Sequence, residues 1–103
     1  MTPHQILKAA QDLIRDPKHW TQGAFARDAH GGPVPLKSVA AVCFCSAGAI
    51  EKAAGDAPEA EQSARRLLRS SIIDSYPCSS IWHFNDNYTH AQVMAAFTKA
   101  LEQ

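Results

Sequence analysis

Cys43 and Cys45, two cysteines one residue apart, are the residues in this sequence whose type and spacing first suggest chemistry. Structural zinc sites use pairs of the form C-x₂₋₄-C and H-x₃₋₅-H, and the sequence contains neither. If both cysteines lie on a helix, they point about 200° apart around its axis and cannot bind one ion together. We therefore expect no metal site and no cofactor, and we expect Cys43 to be a small core residue.

A cysteine nucleophile is the alternative chemistry. Cys45 would need a base and an orienting group, which His83 and either Asn85 or Asp86 could supply. A helix that begins at Ser38 would place Cys45 about two turns inside, where the helix dipole hardly lowers a thiol pKa. A small hydrolase or transferase that uses Cys45 is thus the second hypothesis, and a buried, inert thiol is favoured over it.

Five residues are candidates for a binding site: Trp20, Arg27, Asp28, Asn85 and Asp86. Asparagine and aspartate commonly cap turns by accepting hydrogen bonds from nearby backbone amides, and we favour that structural role for the last two. The adjacent arginine and aspartate predict a local ion pair or loop hydrogen bond. The large aromatic residues are mostly core candidates, although one or two could line an exposed surface that binds a partner.

The elements that must position these residues are mainly helical. A capping box at residues 2–5 begins helix one, which Asp16-Pro17 ends, and a second box at residues 89–92 begins the closing helix. A third box at residues 56–59 predicts a helix that ends at 75–77. The segment of residues 78–88 is short and apolar, so it could form a strand, a helical turn or a packed loop. We favour a short helix or turn.

Residues 20–55 are predicted to contain a hairpin followed by helix two. The His30-Gly31-Gly32 turn predicts a small β-hairpin between residues 24–29 and 33–36, with the proline-rich second strand at an edge. Ser38 is the predicted cap of helix two, and Gly55 its end. The stripe of this helix would contain Val39, Val42, Cys43 and Ile50.

Gly48 lies inside that predicted helix, where glycine costs about 1 kcal/mol relative to alanine. Close approach of another element is the favoured reason, and a backbone left bare for a ligand is the alternative. The neighbouring alanines also make a homodimer through this face a hypothesis.

Composition sets the class of protein. The chain of 103 residues predicts one globular domain, residues 1–103, of mainly α class, with about four helices around one core and a small hairpin between helices one and two. Ten basic residues balance ten acidic ones, so we expect neither nucleic acid nor a membrane as partner, and Arg65, Arg66 and Arg69 are interpreted as a solvated helix face. Three cysteines, an odd count, favour free thiols in the cytoplasm.

The assembled motifs resemble a family of small bacterial and phage-encoded domains of unknown function. The pattern is W-x-x-G-x-x-A-R-D-x-x-G, then C-x-x-G-A, then an aromatic-N-D turn before a helix. It is carried here by Trp20, Gly23, Ala26-Arg27-Asp28, Gly31, Cys45, Gly48-Ala49 and Phe84-Asn85-Asp86. Phe84 replaces a tryptophan of the pattern, and Cys43, Cys78 and His83 fall outside it. The resemblance implies a phage or mobile-element origin and assigns no activity.

No signature for catalysis, nucleotide, metal or membrane binding outweighs a structural explanation of the same residues. The leading hypothesis is therefore a non-catalytic cytoplasmic domain that binds another protein through an exposed aromatic or hairpin surface.

Overall fold

The computed structural model describes residues 1–78 and 80–103, and these residues form five α-helices and one two-stranded antiparallel sheet. The helices are α1 (Pro3–Leu13), α2 (Ser46–Ala54), α3 (Pro58–Ile73), α4 (Ile81–Asn87) and α5 (His90–Leu101). A 3₁₀ turn (Pro17–His19) and the strands β1 (Ala26–Arg27) and β2 (Cys43–Phe44) lie between α1 and α2. The prediction of a mainly α fold with a small hairpin between the first two helices is confirmed.

The predicted capping signals explain where the first and last helices begin. The Thr2 hydroxyl accepts a hydrogen bond from the Gln5 amide at 3.1 Å, and the Gln5 side chain accepts one from the Thr2 amide at 2.8 Å. Thr89 and Gln92 make the same reciprocal pair at the start of α5. Gly55 ends α2 with a φ of 60°, a backbone conformation that glycine adopts without strain.

The core lies where α1, α3 and α5 pack on one another and α2 packs on α1 and α3. Each helix contributes one apolar stripe, as expected of amphipathic helices around a single core. The largest apolar side chains that are fully buried are Phe84, Phe97, Ile6, Leu7, Ile14, Ile50, Leu68, Ile72 and Val93.

The prediction that helix two begins at Ser38 is wrong. The Ser38 hydroxyl caps only a local turn, accepting from the Ala40 amide at 3.1 Å, and Val39 is fully exposed. Residues 42–45 are extended because they pair with residues 21–27: the Val42 amide donates to the Arg27 carbonyl at 2.9 Å. The helix begins only at Ser46, so the predicted stripe through Val39, Val42 and Cys43 does not exist.

The hairpin also has a different partner strand. The tight turn forms as predicted, with the Asp28 amide donating to the Gly32 carbonyl at 2.9 Å and Gly31 at a φ of 82°. However, β1 pairs with β2 in the register Ala26–Phe44, and the prolines leave residues 33–36 only an isolated bridge between Pro33 and Arg27.

The capping box predicted at residues 56–59 is absent. The cap of α3 is Ala57, whose side chain makes no capping hydrogen bond, and Pro58 is the first helical residue. Proline suits this place because it has no N–H to satisfy there. The short helix favoured for the open segment 78–88 is present as α4, which raises the helix number from about four to five. Ser79, which belongs to that segment, lies outside the described residues.

Candidate functional site

The side chain of Asn85 connects three separate parts of the chain. Asn85 lies on the inner face of α4, is 1% exposed, and points toward the start of α2. Its Oδ1 atom accepts hydrogen bonds from the Trp20 indole at 2.7 Å, the Ser46 amide at 2.9 Å and the Ser46 hydroxyl at 2.7 Å. Its Nδ2 atom donates to the Thr21 carbonyl at 2.9 Å. One buried amide therefore holds α4, the start of α2 and the segment after the 3₁₀ turn together.

Local structure explains why Asn85 points inward. The Ser80 hydroxyl caps α4 by accepting from the His83 amide at 3.0 Å, which sets the start of the helix. From this start Ile81, Phe84 and Asn85 fall on one face and are buried, while Trp82 and His83 are exposed. The interpretation of residues 85–86 as simple turn caps therefore misses the role of Asn85.

Asp86 and Arg27 fasten the segment 20–32 to this network. The Asp86 carboxylate accepts from the Gly23 amide at 3.0 Å. The Arg27 guanidinium donates to the Thr21 hydroxyl at 2.9 Å, the Gln22 carbonyl at 3.0 Å and the Gly31 carbonyl at 2.9 Å. Arg27 makes a loop contact, as one of the two predictions for it states, but it is not paired with Asp28.

Asp28 closes the turn of the hairpin. Its Oδ1 atom accepts from the amides of His30 and Gly32, each at 2.9 Å. These two backbone hydrogen bonds, the one from Gly32 first, lower the pKa of the Asp28 carboxyl below its ordinary value. Of the five binding candidates, the structure thus brings Trp20, Asn85 and Asp86 together, and it places Arg27 and Asp28 in the adjoining loop.

Cys45 is the N-cap of α2, although the prediction placed it two turns inside a helix. Its sulfur accepts from the Gly48 amide at 3.3 Å, and the residue is 5% exposed. Burial raises the pKa of this thiol above its ordinary value, since the charged thiolate would be poorly solvated. A nucleophilic cysteine needs a lowered pKa or an adjacent base, so these contacts suit a capping residue better than a nucleophile.

The candidate base does not contact Cys45. His83 is exposed on the outer face of α4, and no hydrogen bond joins its ring to the Cys45 sulfur within the described residues. Cys43 and Cys45 have different hydrogen-bond partners, because the Cys43 thiol donates to the Lys18 carbonyl at 3.1 Å. In the described part of the chain, no three His, Cys, Asp or Glu side chains cluster closely enough to hold a metal ion.

Gly48 has the packing role that its place in a helix predicts. A Cβ atom at this position would collide with the carbonyl oxygen of Phe25. The same carbonyl accepts from the Cys45 amide at 3.2 Å, so the loop lies directly on the first turn of α2. The flanking Ala47 and Ala49 are fully buried inside the chain, which leaves this face covered by the protein's own loop and helices.

The network satisfies its own polar groups. No buried side-chain nitrogen or oxygen in residues 1–78 and 80–103 lacks a hydrogen-bond partner. Buried polar groups that are all paired stabilise one conformation. The polar candidates therefore form a clasp that holds the fold, which we call the Asn85 clasp (Asn85 with Trp20, Thr21 and Ser46).

The outer side of the clasp carries the exposed features of the site. Trp82 is 45% exposed and stacks edge to face on Phe25, itself 39% exposed, with ring centroids 4.4 Å apart. Beside Trp82 an open groove of about 450 Å³ lies between α3 and the start of α4. Its walls include Arg65, Arg66 and Arg69. One or two exposed large aromatic residues were expected from the sequence, and Trp82 is one of them, whereas no role was predicted for Phe25.

Fold and site define a class: a small helical domain in which one buried amide clasps an irregular segment to two helices and leaves an aromatic pair on the surface. The chain belongs to DUF6197, described as a family of unknown function, whose model matches residues 1–103. The expected resemblance to a family of unknown function is thereby confirmed. No curated protein and no solved structure matches the chain significantly, and none of the described helices is long and apolar enough to cross a bilayer.

Proposed function

We propose that this chain is a protein-interaction domain of phage or mobile-element origin that works in the cytoplasm and catalyses no reaction. The exposed pair of Trp82 and Phe25 carries the proposal. Tryptophan and arginine are enriched among residues that contribute most to protein interfaces, and three arginines line the groove beside Trp82. The three free thiols suit a reducing compartment.

The rigidity of the surface supports the same function. Trp82 lies on the outer face of the short helix whose inner face is anchored by the Asn85 clasp, and Phe25 follows the Gly23 amide that Asp86 binds. Two aromatic side chains held by separate tethers are pre-organised, so a partner would pay little entropy to order them. The Cys45 thiol is buried with a raised pKa, and His83 is exposed on the outer face of α4, so we do not favour the hydrolase or transferase hypothesis.

The test compares Trp82→Ala with Val39→Ala, which removes a fully exposed apolar side chain elsewhere. Immobilised wild-type protein and both variants are incubated with lysate of the source cell, captured proteins are identified by mass spectrometry, and each is purified for a direct affinity measurement. We expect a partner whose Kd rises at least about tenfold with Trp82→Ala, equivalent to about 1.4 kcal/mol, and stays unchanged with Val39→Ala.

Circular dichroism and thermal unfolding of each variant exclude loss of fold as the cause. Failure to find any partner whose binding depends on Trp82, in lysate at high protein concentration, would refute the proposal. A second copy of the chain counts as such a partner, and light scattering over a concentration series tests for this self-association.

A further inference from the structure

We propose that the groove between α3 and α4 binds a short acidic segment of the partner protein, with an apolar side chain of that segment placed against Trp82. This proposal rests on the proposed function and specifies the chemistry of the partner.

The charges of the groove are positive and in part unpaired. Arg65, Arg66 and Arg69 fall on one side of α3, because residues three and four apart on a helix are neighbours. Arg65 is paired with Glu61 at 3.1 Å. Arg66 and Arg69 are exposed and form no ion pair within the described residues. Two guanidinium groups are therefore available, and guanidinium binds carboxylates through two parallel hydrogen bonds.

The opposite wall of the groove is largely apolar. It is formed by the start of α4, where Ile81 and the exposed ring of Trp82 line the groove together with Ser80. A ligand that carried only negative charge would leave this wall unused. An acidic segment with one apolar residue matches both walls, and an aromatic ring close to arginines is the composition that protein interfaces favour.

The size of the groove argues for a peptide rather than a nucleic acid. The groove runs along α3 from Gln62 to Arg69, a length of about 10 Å at the helical rise of about 1.5 Å per residue. An extended peptide of about three residues covers this length. Nucleic-acid binding would need a longer row of cations, and the chain as a whole has ten basic and ten acidic residues. The groove thus offers a local charge match for a short acidic segment.

The experiment pans a random peptide library displayed on phage against the folded full chain and against two double variants. Arg66→Glu with Arg69→Glu reverses both available charges of the groove. Lys18→Glu with Lys52→Glu is the matched control, because it changes the net charge equally at residues that do not line the groove. The strongest selected peptide and an analogue with amides in place of its carboxylates are then measured by fluorescence polarisation, beside a labelled single-stranded oligonucleotide.

We expect selected peptides rich in aspartate and glutamate around one apolar residue, with at least about tenfold weaker binding for the amide analogue, for the arginine double variant and for Trp82→Ala. The lysine double variant should bind within about twofold of wild type, and affinity should fall as salt is added. Selection of no peptide, of peptides without acidic residues, or of peptides that the arginine variant still binds would overturn the proposal, as would tighter binding of the oligonucleotide.

The outcome is separable from that of the proposed function. A partner whose capture needs Trp82 but tolerates Arg66→Glu with Arg69→Glu would sustain the interaction domain and reject the acidic segment. Acidic peptides that bind the groove, in the absence of any protein partner dependent on Trp82, would establish that the groove prefers acidic peptides and would reject the interaction domain.

Discussion

Replacement of Asn85 by alanine tests whether the Asn85 clasp holds the fold. The variant removes the acceptor of the Trp20 indole, of the Ser46 amide and of the Ser46 hydroxyl, and it removes the donor to the Thr21 carbonyl. The hydroxyl can rotate toward another partner. A polar group left without a partner in the interior costs about 1–3 kcal/mol, so the indole and the two backbone groups at the low end give a loss of about 3 kcal/mol. That is a large part of the roughly 5–15 kcal/mol by which a domain is stable.

The assay is urea unfolding followed by circular dichroism, with the free energy of unfolding obtained by linear extrapolation. A loss of about 3 kcal/mol also lowers Tm by about 12 °C or more for a domain of this size. Asn87→Ala is the matched control, because Asn87 is exposed on the same helix and donates only to the His83 carbonyl at 2.8 Å. Its cost should stay near 0.5 kcal/mol.

A double-mutant cycle with Trp20→Phe makes the test specific. Both Trp20→Phe and Asn85→Ala remove the indole hydrogen bond of 2.7 Å, so their combined cost should fall short of the sum by about 1 kcal/mol. The reasoning is refuted if Asn85→Ala costs less than about 1 kcal/mol, or no more than Asn87→Ala. Strict additivity in the cycle would show that the indole contact contributes nothing.

Three further predictions concern single residues. Gly48→Ala should lower the free energy of unfolding by about 1–3 kcal/mol in urea unfolding, because the added Cβ meets the Phe25 carbonyl. Helix propensity alone predicts the opposite sign, since alanine favours helices. Ala53→Gly on the same helix measures that propensity and should lower the free energy of unfolding by about 1 kcal/mol. The raised pKa of the Cys45 thiol should make the native protein lose stability above about pH 8.5, the ordinary thiol pKa, since the unfolded chain releases this proton first. The Cys45→Ser variant should lose less stability than the wild type over that pH range, and an equal loss would contradict the raised pKa of Cys45. The Asp28 carboxyl should titrate in NMR below its ordinary pKa of about 3.9, with its contribution to stability present above that pH and lost as the pH falls through the lower native value; a native pKa at or above the ordinary value would be incompatible with its two amide hydrogen bonds.

Local sequence signals were sufficient where a helix is set by its own residues. The capping boxes at Thr2 and Thr89 and the glycine at residue 55 are local devices, and each lies where it was predicted. The predicted N-cap of α2 was wrong by seven positions, since the cap is Cys45 and not Ser38, because distant backbone decides where this helix begins. The Phe44 carbonyl accepts from the Thr21 amide at 3.0 Å, and this contact keeps the chain extended until Cys45.

The candidate site depended even more on distant contacts. Residues 85–87 read locally as turn formers, since Asn and Asp are poor helix residues. The Ser80 cap sets the face of α4 on which Asn85 lies, but the partners of its side chain are residues 20, 21 and 46, which no local pattern contains. The one available signal was Gly48, whose presence in a helix predicted a close neighbour without naming it.

The division of α4 into two faces links stability to the proposed function. Ile81, Phe84 and Asn85 are buried on one face, and Trp82 is exposed on the other. Changes on the inner face should therefore weaken partner binding and the free energy of unfolding together, whereas Trp82→Ala should weaken binding by much more than its effect on folding explains. Because the helix has only seven residues and is marginal by itself, the clasp is what gives the aromatic surface its fixed position. A partner that binds this surface should in turn stabilise the clasp, since a ligand that binds only the folded state raises the free energy of unfolding.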